Sequence, residues 1–225
     1  MRTILIALGL LLLSGCAGHS PEGLAHVFAG NKCGKPDADQ QLALNLADEM
    51  LNDGRPHASL AHLQQLPDEL DQVRLRKAKV LRLLGRSEAE PLYRSLLGGC
   101  LASEGEHGLG QLASARGDDA QALRNLQRAV RLAPTDEKVR NDLGVVLMNL
   151  GDHEQARFEF LTAIELKDDN PLPAVNLVAL SLLQDNWQQA ADLVARLRLK
   201  PAQFAEAQAR AKQLKSTGRG VLPVS

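Results

Sequence analysis

The residues of this chain that could do chemistry are few, and their spacing argues against their doing any. Six histidines, His19, His26, His57, His62, His107 and His153, are scattered through the sequence without the paired spacing that zinc ligands require. Cys33 and Cys100 form no C-x-x-C pair. Asp118-Asp119 and Asp168-Asp169 have the composition of an acid–base dyad. Each pair falls where a turn gives way to a helix, however, and there acidic side chains satisfy free backbone amides. No glycine loop suited to cradling phosphate is present, and no G-x-S-x-G element follows a strand pattern. The sequence therefore predicts no catalytic residue, no metal site, no cofactor and no small-molecule substrate.

The third cysteine has a different setting. Arg2 supplies a positive charge, Ile4 to Leu13 form an apolar run too short to span a bilayer, and the small residues Ser14 and Gly15 precede Cys16. Leu13-Ser14-Gly15-Cys16 resembles a lipobox. The resemblance implies cleavage before Cys16 and acylation of that residue, and several acyl chains anchor where one binds reversibly. Ala17 follows, where enterobacterial lipoproteins kept at the inner membrane commonly carry Asp. The implied location is the periplasmic face of the outer membrane. The formal net charge of −1 gives no electrostatic reason to expect nucleic acid.

Self-similarity organises the remainder. Gly54, Gly85, Gly117 and Gly151 each stand where an apolar-periodic stretch ends, and Asp185 continues the series. A helix commonly ends in a left-handed residue, which glycine adopts at no steric cost. Before each turn comes a small residue: Ala47, Ala78, Gly110, Gly144 and, less well, Val178. After each comes an alanine, Ala58, Ala89, Ala122, Ala156 and Ala190, expected to face those small residues. His62, Tyr93, Leu126, Phe160 and Val194 follow and are expected to fill the space between hairpins. With only 3% aromatic residues and abundant alanine and leucine, the chain favours helix throughout.

These columns resemble the tetratricopeptide repeat, best over residues 103–170. The predicted fold is all-α, a right-handed α-solenoid of about five degenerate repeats with a C-terminal capping helix. The expected organisation is a signal peptide over 1–15, a lipidated linker over 16–36, the solenoid over 37–215 and a disordered tail over 216–225.

Two questions stay open at this level. A disulfide between Cys33 and Cys100 would stabilise by about 4 kcal/mol in the chain-entropy model. It requires the segment before the first helix to fold back, since the two cysteines lie about two repeats apart. The second question concerns the inner face, where such solenoids usually bind peptides. Lys138, Asn141, Val145, Met148, Leu172, Val175, Ala179 and Leu182 would make a partly apolar groove toward the C-terminus. Either a partner occupies it, or the capping helix carrying Phe204 buries it as core. The inner face of the first three units, with Leu44, Asp48, Leu51, Leu75, Lys79, Arg82, Glu104, His107, Gln111 and Ser114, is mixed in character. The late basic residues Arg196, Arg198, Lys200, Arg210, Lys212, Lys215 and Arg219 read as a solvated or membrane-facing surface.

The stretch Ala133 to Gly144, together with Asn176-Leu177, resembles the TadD lipoproteins of the tight-adherence system, which assembles Flp pili. The resemblance implies a pilotin: a lipoprotein that binds the C-terminal region of a secretin subunit and carries it to the outer membrane for assembly. Type IV pilus pilotins share this plan, and a general periplasmic scaffold for cell-envelope assembly would use the same fold.

Overall fold

A computed structural model describes residues 33–167 and 169–217, and among these there are eleven helices and no strand. The first ten pair as five antiparallel hairpins. They are α1 (Ala38–Asn52) with α2 (Pro56–Leu63), α3 (Asp71–Leu83) with α4 (Ala89–Arg94), α5 (Ala102–Ala115) with α6 (Asp119–Leu132), α7 (Glu137–Asn149) with α8 (His153–Leu166), and α9 (Leu172–Leu183) with α10 (Trp187–Arg196). A last helix, α11 (Pro201–Thr217), follows, so Ser216 continues that helix instead of starting a tail. The predicted signal peptide, Cys16 and residues 218–225 lie outside the described residues.

Local chemistry sets the helix ends. Asp37 opens α1 with a reciprocal cap: its carboxylate accepts from the Gln40 N–H at 2.8 Å, and the Gln40 side-chain oxygen accepts from the Asp37 N–H at 2.9 Å. Asp118, Asp136, Asp152 and Asn186 cap α6, α7, α8 and α10 with side-chain oxygens. Asp118 thus does the capping expected of it, while Asp168 lies outside the described residues. Within the hairpins the turn glycines Gly54, Gly85, Gly117 and Gly151 have φ between +67° and +83°, and Asp185 has φ +58°. Backbone bonds from Gly151 N–H to Met148 O (3.1 Å) and from Asp152 N–H to Leu147 O (2.9 Å) close α7 in the doubly bonded left-handed pattern. Asp185 manages the same conformation because a short polar side chain tolerates it best after glycine.

Packing corrects two details of the columns. Gly110 and Gly144 receive the bulky side chains of their own hairpins, so Leu126 and Phe160 fill the inside of a hairpin as well as the space expected between hairpins. A Cβ on Gly110 would lie 2.7 Å from Leu126 Cγ, and one on Gly144 would lie 2.6 Å from Phe160 Cε1. Ala122 and Ala156 are fully buried beside this contact. Tyr93 is the bulky residue that does bridge hairpins, its ring occupying the space that a side chain on Gly108 of α5 would need. In the first hairpin the register is one residue later than the sequence suggests. Ser59 and Leu63 are buried there, while Ala58 is exposed, and the Ser59 hydroxyl donates to Ala47 O at 2.8 Å. A shorter second helix entered through Pro56 explains the offset.

Lys77 is 8% exposed and pairs with Asp68 at 2.6 Å. Its stem packs while its ammonium reaches a carboxylate at the edge. Cys33 and Cys100 are joined in a disulfide with Cα atoms 5.4 Å apart. The segment before α1 folds back, with Gly34 beside Leu70 at the start of α3, and this overcomes the separation by two repeats.

Two outcomes follow for urea denaturation. Cys100→Ser is expected to cost about 4 kcal/mol, because the bond closes a 67-residue separation. An unchanged midpoint would show that the first residues contribute nothing to the stability of the body. Gly144→Ala gains about 1 kcal/mol in helix propensity but forces Phe160 aside at a cost of about 1–3 kcal/mol, so a net loss is expected. A stabilised variant would mean that the two helices of this hairpin can separate freely.

Candidate functional site

The first helix of each hairpin contributes one strip of a continuous surface. A ladder of polar side chains runs through it at the repeat period. Arg210 of α11 donates to Asn176 Oδ1 at 2.7 Å, and Asn176 donates to Asn141 Oδ1 at 2.8 Å. Asn141 reaches Asp142 at 3.3 Å, and Asp142 Oδ2 lies 2.7 Å from His107 Nε2 and accepts from Gln111 at 2.9 Å. Asn141, Asp142 and Asn176 are 2% exposed or less, so these polar groups require one another. Their arrangement is structural: each is occupied by its neighbour.

Toward the C-terminus this surface is closed. Val145, Met148, Val175, Ala179 and Leu182 are each 2% exposed or less, in one core with Ala207, Ala211 and Leu214 of α11. The capping helix packs on α9 instead of stacking on α10 as the first helix of a sixth hairpin would. Arg198, with φ +53°, makes the turn that redirects the chain. The expected groove over these residues is therefore core in this structure. Asn141 is spent in the ladder, Leu172 is half-buried, and only Lys138 of the eight residues is exposed. The physical reason is area: an apolar trough left in water would forfeit the largest favourable term available at the end of the stack. Arg210 likewise turns inward, and Lys215 pairs with Asp185, so the late basic cluster is only partly free.

Toward the N-terminus the surface is open. A hollow of about 450 Å³ spans four first helices. Leu51 of α1 stands at one end. Lys79, Arg82 and Leu83 come from α3, Glu104, His107, Gly108 and Gln111 from α5, and Asp136 with Lys138 from the start of α7, while Tyr93 of α4 reaches in from behind. Lys79 has its pKa lowered, first by desolvation and then by the neighbouring cations Arg76 and Lys138. The Tyr93 hydroxyl has its pKa raised by burial, against a smaller opposing pull from Arg82. Seven of these residues, Lys138 among them, are expected on the inner face, but residue counting gave no sign that they share one hollow. Tyr93, assigned to the spacing between hairpins, was missed as a lining residue. The glycine opposite it, Gly108, was the available signal.

Comparison with known proteins agrees with this architecture. The family model described as the tetratricopeptide repeat matches residues 113–174. The TPR repeat-containing protein PA4299 of Pseudomonas aeruginosa is 42% identical over 211 residues, covering 92% of this chain and 84% of that protein. Among solved structures, the thermophilic TPR protein TTC0263 of Thermus thermophilus superposes with a TM-score of 0.59 at 22% identity, over 76% of this chain and 96% of that one. MamA, from residue 41 to its end, of Desulfovibrio magneticus RS-1 gives 0.56 at 18% identity, over 70% and 92%. At such identities the solved structures speak for the fold alone.

The closure by α11 is open to direct test. Truncation after Lys200 should expose Val175, Ala179 and Leu182, giving strong binding of a hydrophobic dye and self-association in sedimentation velocity. A truncated chain that stayed monomeric and dye-silent would show that α11 is not what keeps the trough dry.

Proposed function

Because this chain belongs to the family of tetratricopeptide-repeat proteins, we propose that it acts by holding another protein, and that the partner is a secretin subunit carried to the outer membrane for assembly in Flp pilus biogenesis. The observation that carries a binding role is the open hollow across four first helices, the strip of surface on which repeats of this kind can hold an extended or helical segment. The identity of the partner rests on the lipobox at Leu13 to Cys16 and on the likeness of Ala133 to Gly144 to the TadD pilotins.

The mechanism is linkage of two weak attachments. Acyl chains on Cys16 supply affinity for the membrane, and residues 16–36 tether the solenoid to it. The solenoid grips the C-terminal region of the secretin, and tethering makes membrane delivery of one the delivery of both. No bond is made or broken, consistent with the scattered histidines and the committed carboxylates of the polar ladder.

Calorimetric titration of the chain from Ala17 onward with the C-terminal peptide of the secretin encoded in the same genome tests this reading. Micromolar or tighter binding is expected. Lack of binding, with both components folded, would leave a general periplasmic scaffold as the role.

A further inference from the structure

The hollow is unbalanced in its hydrogen-bonding chemistry. Lys138 of its lining is exposed, Lys79 keeps part of its side chain in solvent although the walls of the hollow desolvate its ammonium, Arg82 is half-buried, and none of the three forms an ion pair among the described residues. The acidic groups around them are already used. Asp48 accepts two bonds from Arg76 at 3.1 and 2.9 Å, Asp136 caps α7, and Asp142 is held by His107 and Gln111. Glu104 is the acidic side chain of the lining that remains. Behind the cations, Arg82 Nε is shielded from solvent and makes no hydrogen bond, and the hydroxyl of Tyr93, a residue only 1% exposed, faces the Arg82 guanidinium. A shielded, unmade hydrogen bond costs stability until something accepts it. Lys79, Arg82 and Lys138 can only donate, and the complement of converging donors is an anionic acceptor. Leu51 and the exposed Leu83 flank them with apolar surface.

We propose that this hollow receives an acidic segment of the partner polypeptide, whose carboxylates take the donors of Lys79, Arg82 and Lys138 while neighbouring apolar side chains rest on Leu51 and Leu83. This rests on the reading of the surface as protein-binding and adds the chemistry of what binds. A hollow of about 450 Å³ is small for a whole helix but sufficient for a few side chains, so it serves as an anchor point within a longer contact. Attraction of this kind also quickens encounter and weakens with salt.

The test uses a library of short random peptides displayed on phage and selected against the chain from Ala17 onward, which keeps every described residue. Recovered peptides should be enriched in Asp and Glu. Measured by fluorescence anisotropy, their affinity should fall about tenfold in Lys79→Gln and again in Lys138→Gln. It should rise in Glu104→Gln, where a competing carboxylate is removed. A gain of affinity cannot come from a damaged fold, so this variant keeps the test decisive even if the lysine variants lose stability. Recovery of peptides no more acidic than the library, recovery of none, or affinities unchanged across the three variants would overturn the proposal. Acidic peptides that bind as described while the secretin peptide does not would retain the anchor and reject the secretin. The reverse would place the secretin elsewhere on the solenoid.

Discussion

Everything in this molecule depends on how closely the two helices of a hairpin approach. At Gly110 and Gly144 there is no room for a single methyl group, because Leu126 and Phe160 already occupy the space. A close approach of this kind lets one bulky side chain fill the interior of a hairpin that has few aromatic residues to spend. It also fixes the turn. With the helices so near, the chain must reverse within a few residues, and a left-handed backbone at Gly117 or Gly151 is the shortest way to do so while satisfying the last carbonyls. The aspartates that cap the second helices follow directly after these turns, so one short sequence element ends one helix and begins the next.

The stack then has to be finished at both ends, and the two ends use different means. At the N-terminal end the disulfide between Cys33 and Cys100 fastens the leading segment across the first two hairpins. At the C-terminal end α11 covers apolar side chains that no sixth hairpin exists to bury. The polar ladder from Arg210 to His107 joins this closure to the middle of the protein, each rung a repeat period from the last. A buried ladder is demanding, since every member must be satisfied by the next, and this holds α11 in one register on α9.

Closing one half leaves the other to do the binding. The C-terminal half of the inner surface is apolar and covered, while the N-terminal half is polar, cationic and open. Residue counting along each first helix placed Lys79, Arg82, Glu104, His107 and Gln111 on this surface. It could not rank them above the more conspicuous apolar stripe, because a stripe of Val, Ala and Leu at helical spacing reads the same whether water or another helix lies on it. Asn141, expected to line a groove, instead joins Asp142 and Asn176 in holding the solenoid together.

What the sequence by itself determined is whatever depends on neighbours along the chain: the hairpins, their turns at Gly54, Gly85, Gly117, Gly151 and Asp185, the caps and the number of repeats. Those are local interactions, encoded within a few residues and repeated often enough for one column to support another. The tertiary structure alone decided where the degraded first hairpin takes its register, which helix face a small residue opens toward, whether Cys33 can reach Cys100 and which half of the inner surface stays exposed. Each of these turns on the path of a connecting segment such as the bend at Arg198. A shift of one residue in such a path changes which distant side chains meet, and spacing along the sequence carries no record of that choice.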